Sequence, residues 1–362
     1  MDFEFSDDQE RLRDSVRRYL GERAPLSYVR TQHDAPGGPR RYRDHVWAGL
    51  ADIGLTAMLI PEQYGGAGMG VVDLALGLGE MGRSVYPGPF AASAVGAATA
   101  LVAAGDGDAC ARWLPGIATG TAVGAVALTD ARATTTNLAT DGTVTGTKVH
   151  VLDAPAADIL LVATESGSGP VIVAVESDSP GLSVTPVETV DGTRAFGHIY
   201  LDHVVGTPLS GDAASALLAA DDALGVALVL DGVGAAERAL ELTLEYAKHR
   251  EQFGKPIGSF QAVQHLCADM LRAVELGRAA AYYAAWACDG ADPFERHRAA
   301  TMARAFAADG FYRVAATAIQ VFGGIGFTWE HDIHLFYKRL LTLQLFGGSA
   351  ADHLEELASM VL

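Results

Sequence analysis

The sequence predicts a mainly α-helical chain with a central β-domain: an N-terminal helical domain over 1–116, a small antiparallel barrel or sandwich over 117–211, and a C-terminal helical bundle over 212–362. Three observations predict it. Apolar residues recur at helical spacing through the first part of the chain; from Thr121 the composition changes to short β-branched runs separated by Gly, Asp and Pro; from Asp212 the helical period returns and is kept to the end. A chain of 362 residues is also long for one core, so division into two or three packed domains is expected.

Ser6, followed by Asp7, Asp8, Gln9 and Glu10, is a helix-start signature, and Leu12, Val16, Tyr19 and Leu20 give that helix its apolar face. Arg23 to Arg43 is rich in Pro, Gly and charge and reads mostly as loop. HVWAGLADIGLTAML is a short helix, IPEQYGGAGMG a glycine-rich turn, and VVDLALGLGEMGRSV, PFAASAVGAATALVAAG and the region from Ala109 to Leu114 are further helical runs. AVGAVALTD, GTVTGTKVHVLD, ADILLVAT, GPVIVAVES, GLSVTPVETVDG and HIYLDHVVG read as strands. The long Ala-rich helices after Asp212 suit an antiparallel bundle, which could also supply an oligomer interface.

Lys plus Arg is 26 against 44 Asp plus Glu, and the formal charge of −18 argues against a nucleic-acid or anionic-membrane partner. Any anionic ligand must then be met by local basic groups and helix ends. Cys110, Cys267 and Cys288 are an odd number without CxxC or Cys/His spacing, which suggests neither a disulfide framework nor a metal site. The acidic, amphipathic start is unlike a secretory signal, and no apolar run reaches ~18 residues free of charge and helix breakers, so a soluble cytoplasmic protein is expected.

Arg250 to Met270, REQFGKPIGSFQAVQHLCADM, carries the densest set of signals. A helical pattern ends before Gly254, Pro256 and Gly258 prevent its continuation, and Phe260 opens the next helix. The turn carries an Arg beside an aromatic and is followed by Gln261, which suits a phosphate-bearing ligand with a flat ring system, because guanidinium meets phosphate oxygens as a fork. The same Arg also suits a solvated helix end, where a cation is favoured by the dipole.

REQFGKPIGSFQ with AVQHLCADM, QVFGGIGFTWEHDIHLFYKR about sixty residues later, ALT at Ala127 to Thr129, GTK at Gly146 to Lys148 and PEQYGG at Pro61 to Gly66 together resemble the acyl-CoA dehydrogenase family along essentially the whole chain. The resemblance implies a helical domain, a β-domain and a four-helix bundle, the order read from periodicity. It implies FAD as cofactor, an acyl-CoA thioester dehydrogenated between its α and β carbons, and hydride passed to flavin N5. It also implies an electron-transfer flavoprotein or other acceptor, a homo- or hetero-oligomer of two or four chains, and a place in fatty-acid or sterol side-chain degradation. Arg250 matches the family's contact to the pyrophosphate of a neighbouring subunit's FAD, Phe253 packs on the same cofactor, and Gln261, just after the turn, is counted with them. Gln320, Gly323 and Gly324 match the adenosine side, where paired glycines let backbone approach a ligand closely. Ser349, beside the C-terminal glycine pair, is counted with the cofactor-binding residues.

The chain departs from the family in its β-domain. His150 and Leu152 stand where Trp and Thr or Ser usually meet the flavin ring, and Leu152 has no side-chain donor, so that contact falls to backbone or to Thr129. His150 serves equally well as a packed strand histidine. Asp130 replaces a usual Glu, and Thr134 to Thr136 replace GSD.

The chemistry needs a carboxylate near the α-carbon. The family's usual glutamate matches Gly347, within Phe346, Gly347 and Gly348, and a second family location matches Leu224, so both are empty. Asp231, the one charge in GVALVLDGVGAA, shares a helix face with Leu224, Leu228 and Ala235, and burial there would suit a general base. It could instead pair with an Arg or cap a break near Gly232 and Gly234. Asp221 and Asp222 read as a solvated helix start. Three functions follow. One is a catalytic FAD-dependent dehydrogenase with Asp231 as base; another is a non-catalytic subunit that completes a partner's FAD site in a heteromer; the third is a flavin oxidase or monooxygenase on the same fold.

Overall fold

Helix α1 (Asp7–Arg23) starts on a reciprocal cap. Ser6 Oγ accepts from the Gln9 N–H at 3.3 Å, and Gln9 Oε1 accepts from the Ser6 N–H at 2.8 Å, so two otherwise orphaned donors are satisfied. The computed structural model describes residues 5–34 and 43–362. Helix α2 (Leu26–Asp34) takes up part of the stretch expected as loop, because wholly buried Val29 anchors it; residues 35–42 of that stretch lie outside the described residues. Asp44 then caps α3 (His45–Asp52), and α4 (Val71–Arg83), a π-turn at Ala91–Ala97, α5 (Ala98–Ala104) and α6 (Gly107–Ala118) follow.

The β-domain contains β1 (Gly124–Ala127), β2 (Asn137–Leu138), β3 (Thr143–Leu152), β4 (Ile159–Ser166), β5 (Gly169–Glu176), β6 (Leu182–Val187), β7 (Phe196–Val205) and β8 (Thr207–Pro208). They form one curled sheet in the order β6-β7-β3-β2-β4-β5-β8, with β1 beside β4. Pairing is antiparallel except where β1 and β2 meet β4. Strand β4 shows why its sequence is a continuous apolar run and not an alternating one. Leu160 and Val162 enter the cluster with Val144, Val173 and Ile199, while Ile159 and Leu161 pack with helix residues Leu101, Leu114 and Ile117, so both faces are buried.

The rest is helical: α7 (Ala213–His249), a hairpin of β9 (Glu251–Gln252) and β10 (Lys255–Pro256), α8 (Gln261–Gly290), α9 (Pro293–Phe322), α10 (Ile333–Leu345) and α11 (Ala350–Val361). The chain packs as two compact units. One comprises the chain up to Arg30, Ala75–Tyr86 and Gly225–Leu362; the other comprises Thr31–Leu74 and Pro87–Leu224. Packing thus groups α1 and α4 with the C-terminal helices, whereas sequence order grouped them with the other N-terminal helices. Arg17 ties α1 to α4 by forking onto buried Glu80 at 2.9 and 2.6 Å, and Arg83 ties α4 to α7 by forking onto Glu241 at 2.7 and 2.5 Å.

Helix α7 has 37 residues and is apolar and long enough to cross a membrane by length and composition, but 67% of its most apolar window is buried, as in the core helix of a folded domain. Two expectations about it are corrected. It starts at Ala213, so Asp221 and Asp222 lie two turns inside it, and Asp222 is wholly buried. No break occurs at Gly232 or Gly234, because these glycines serve packing. A Cβ on Gly234 would stand 1.7 Å from the Gly79 carbonyl oxygen, and one on Gly82 would stand 1.7 Å from that of Asp231, so α4 and α7 cross with their backbones in contact.

Candidate functional site

The Arg250 turn is an exposed hairpin. Helix α7 ends at His249, Lys255 pairs with Gln252, and the two residues between them, Phe253 and Gly254, have φ of +55° and +78°. Positive φ at both central positions gives the tight turn whose twist matches a hairpin. Glycine takes that conformation at no cost, while Phe253 is held in it and leaves 91% of its surface exposed. Its ring meets Phe260 edge-on at 6.1 Å, and Lys255 Nζ sits 4.4 Å above the Phe260 ring. Arg250 and Gln261 are exposed as well.

The second motif lies at the same end of the bundle. Tyr246, one turn before Arg250, stacks on Phe322 at 4.3 Å, and Phe322 meets the His331 ring at 4.3 Å. Burial pushes the His331 imidazole below its ordinary value. This stack places the C-terminal ends of α7 and α9 side by side, so that Gln320, Gly323 and Gly324 come near the turn that carries Arg250. Gln320 and both glycines are exposed. Gly323 leaves the helix with φ of +64°, and no atom lies within 4 Å of where a Cβ would stand on either glycine. A flat, phosphate-bearing ligand could therefore approach this backbone directly.

Asp231 lies elsewhere, nineteen residues earlier on α7 and about 28 Å along the helix. It is 6% exposed, and its Oδ2 stands 3.8 Å from Nε of Arg339, which is itself 2% exposed. Arg339 Nη2 donates to the Tyr86 carbonyl at 2.6 Å. The preceding Val85 has φ of +49°, unusual for a β-branched residue, and is fixed by the bonds of its own turn, Val85 N–H to Gly82 O and Tyr86 N–H to Met81 O, both 2.9 Å. Of the alternatives open in the sequence, Asp231 takes the pairing with a buried arginine.

The position matched to the usual base borders a different cleft, lined by Gly225, Leu228, Arg304, Leu343, Phe346 and His353. None of these residues is an acid. A Cβ on Gly347 would lie 3.9 Å from Arg304 Nη1, and one on Gly348 would lie 3.4 Å from His353 Cε1. Ser349, assigned to the cofactor by resemblance, caps α11. Its Oγ accepts from the Asp352 N–H at 3.3 Å and donates to Asp352 Oδ2 at 2.7 Å.

Thr129, His150 and Leu152 belong to the sheet-containing unit. The loop bearing Thr129 is held by Lys148, which is 1% exposed: its Nζ lies 2.8 Å from Asp130 Oδ1 and donates to the Leu128 carbonyl at 3.1 Å. Burial lowers the Lys148 pKa, and the Asp130 carboxylate partly offsets this. Asp130 Oδ1 also accepts from Thr136 Oγ1 at 2.5 Å, and Thr129 O accepts from the Val149 N–H at 2.9 Å. His150 is exposed with φ of +53°, and its ring meets that of His198 edge-on at 5.1 Å. Leu152 is 4% exposed and pairs across the sheet with Phe196, so its side chain packs inward.

Arg304, His353 and Arg339 were not singled out from the sequence. Each sits in a helical pattern, where a charged residue reads as a solvated face. For Arg339 the signal that could have found it is its neighbourhood, since it falls among the apolar residues of LFYKRLL.

Residues 6–121 match the family model described as acyl-CoA dehydrogenase, N-terminal domain, and residues 225–362 match acyl-CoA dehydrogenase, C-terminal domain. The chain is 34% identical to acyl-CoA dehydrogenase IpdE2 of Mycobacterium tuberculosis, over 92% of this chain and 91% of the relative. Among solved structures it is similar to a variant of the Tcur3481–Tcur3483 steroid ACAD, with TM-score 0.89 and 30% identity over 98% of each chain. It is also similar to the ChsE4–ChsE5 complex of Mycobacterium tuberculosis, with TM-score 0.91 and 28% identity over 99% of this chain and 98% of the other.

Proposed function

Because the chain belongs to the acyl-CoA dehydrogenase family, we propose that it serves FAD-dependent α,β-dehydrogenation of an acyl-CoA thioester as the subunit that completes a partner chain's cofactor site, the proton-abstracting carboxylate being supplied by that partner. One observation carries the proposal: the cleft beside Gly347 presents Arg304 and His353 where the reaction needs an acid, while the Asp231 carboxylate lies 3.8 Å from the buried Arg339 guanidinium. The names of two similar structures, each a pair of different chains, support a heteromeric setting.

The residues at the bundle's end fit FAD. Gly323 and Gly324 leave open the space a Cβ would take, and Phe253 offers an almost fully exposed ring. Arg250 would meet the pyrophosphate as a guanidinium fork, Phe253 would cover an apolar face of the cofactor, and Gln320 with the two glycines would hold the adenosine side. Bound FAD supplies the acceptor for the hydride leaving the β-carbon. Lys148 keeps the loop that carries Thr129 in place through Asp130 and the Leu128 carbonyl. An electron-transfer flavoprotein would reoxidise the assembly. Ring-bearing acyl thioesters are the first substrates to try, since the 30% identical structure is named as a steroid enzyme.

The test is the visible spectrum of the chain purified alone and co-purified with a related chain that retains a C-terminal glutamate, before and after acyl-CoA. We expect a colourless chain alone and a yellow assembly bleached by acyl-CoA at a rate that Asp231→Asn leaves unchanged. A yellow chain that bleaches alone, and stops bleaching as Asp231→Asn while keeping its colour, would make Asp231 the base and overturn the proposal.

A further inference from the structure

We infer that Arg304 closes the cleft beside Gly347 to a catalytic carboxylate, so that restoring an acid at that position would not by itself restore a base. The inference rests on the reading that this chain's own cleft abstracts no proton, and it names the residue responsible.

The geometry comes from both sides of the guanidinium. On one side Arg304 lies against the backbone of α7: a Cβ on Gly225 would stand 1.8 Å from Nε, 2.2 Å from Cζ and 2.1 Å from Nη2. Any side chain there would have to push the guanidinium aside. On the other side Nη1 reaches to 3.9 Å from where a Cβ would stand on Gly347. A glutamate carboxylate lies two bonds beyond its Cβ, so an acid at 347 falls within ion-pair reach of Arg304. From α11, His353, 3% exposed, lies beside Gly348, and the Asp352 carboxylate serves the Ser349 cap.

A carboxylate held by a guanidinium in a part-buried cleft is stabilised in its charged form and binds a proton more weakly. A general base must do the opposite, with proton affinity poised near the working pH. The loss of the acid at 347 and the presence of Arg304 at Gly225 are therefore two separate barriers to proton abstraction here.

Two thermal-denaturation cycles on the chain, at pH 7 and without flavin or substrate, test the inference. In the first, Gly347→Glu is compared with Gly347→Gln, with Arg304 present and in Arg304→Gln. Both side chains strain the φ of +75° equally, so their difference reports charge. We expect Gly347→Glu to melt about 2–4 °C above Gly347→Gln when Arg304 is present, and the gap to close in Arg304→Gln. An equal gap in both backgrounds overturns the inference. The second cycle leaves 347 untouched and serves if those variants do not fold. Gly225→Ala should gain less melting temperature with Arg304 present than in Arg304→Ala, because Ala is the better helix former in both backgrounds but its methyl displaces the guanidinium only in the first. An equal change in both backgrounds removes Arg304 from Gly225. Neither cycle depends on cofactor, so a chain that bleaches flavin alone would defeat the proposed function and leave the Arg304 coupling intact, and loss of coupling would do the reverse.

Discussion

Helix α7 meets chemistry in two places, and they are built in opposite ways. At its C-terminal end the backbone is opened: Arg250 and Phe253 are exposed, and across the Tyr246–Phe322 stack two glycines leave free space. Between Gly225 and Asp231 the same helix is closed, with Arg304 laid on its backbone, Gly82 against its carbonyl and Arg339 beside its one buried acid in the bundle unit. The residues matched to the cofactor lie on exposed surface, while the region that would need a free carboxylate holds two arginines. A family match alone would not separate the two, because the matched C-terminal region, 225–362, spans both, and the closed region is read from contacts.

The largest effect should come from the closed region. Asp231→Ala takes a carboxylate from beside the buried Arg339 guanidinium, and removing one partner of a buried pair costs about 3–5 kcal/mol. Urea denaturation should show the midpoint falling sharply at unchanged slope. A loss below about 1 kcal/mol would break the contrast by showing Asp231 free for other work. The open end should behave in the opposite way. Arg250→Gln should change stability by less than about 0.5 kcal/mol, since the side chain is exposed, yet weaken flavin retention in the co-purified assembly by about 10- to 100-fold through loss of charge-assisted bonds to phosphate. Flavin fluorescence titration measures this, and unchanged affinity would remove Arg250 from the cofactor site.

A smaller effect is expected in the sheet-containing unit, where Lys148→Met removes a buried cation from Asp130 and from the Leu128 carbonyl. The pair is less enclosed than Asp231–Arg339, since the Asp130 side chain is 30% exposed, so a loss of about 1–2 kcal/mol at neutral pH is expected. Its pH dependence is distinctive. Burial lowers the folded pKa below the ordinary 10.5, so between the two values the unfolded chain holds more protons and stability rises with pH. Lys148→Met should abolish that alkaline rise, and its persistence would assign the rise to another group.

The helical, β, helical order was legible because each part carries its own period, and the hairpin at Arg250 because Gly254, Pro256 and Gly258 punctuate it. What was not legible depends on which helices touch. Asp222 looked like a solvated start because the pattern shows charge but not that the helix begins nine residues earlier; it is wholly buried. Asp231 was visible as an anomalous buried acid, yet its partner is 108 residues away in sequence, and no spacing rule reaches across such a crossing. Arg304 was hidden for the same reason, and Gly225 looked like one more small residue in an Ala-rich helix until the guanidinium stood against it.

Ser349 gives the smallest and most discriminating effect, since resemblance assigns it to the cofactor and the structure gives it a helix cap. Its N–H donates to Asp352 Oδ2 at 2.8 Å, its hydroxyl donates to the same oxygen, and together, the N–H first, they hold the Asp352 carboxyl below its ordinary value. A carboxyl depressed in the folded state contributes stability above its unfolded pKa, and that contribution is lost as pH falls through the folded value. Ser349→Ala removes the hydroxyl and keeps the N–H bond. The melting temperature should therefore drop by about 1–2 °C at pH 7, and the difference from the parent should shrink in acid as Asp352 is protonated in both. Flavin retention in the assembly should not change. If instead the melting temperature holds and the flavin is lost, α11 carries part of the open, cofactor-facing end, and the boundary between open and closed regions moves from α9 to the C-terminal helix.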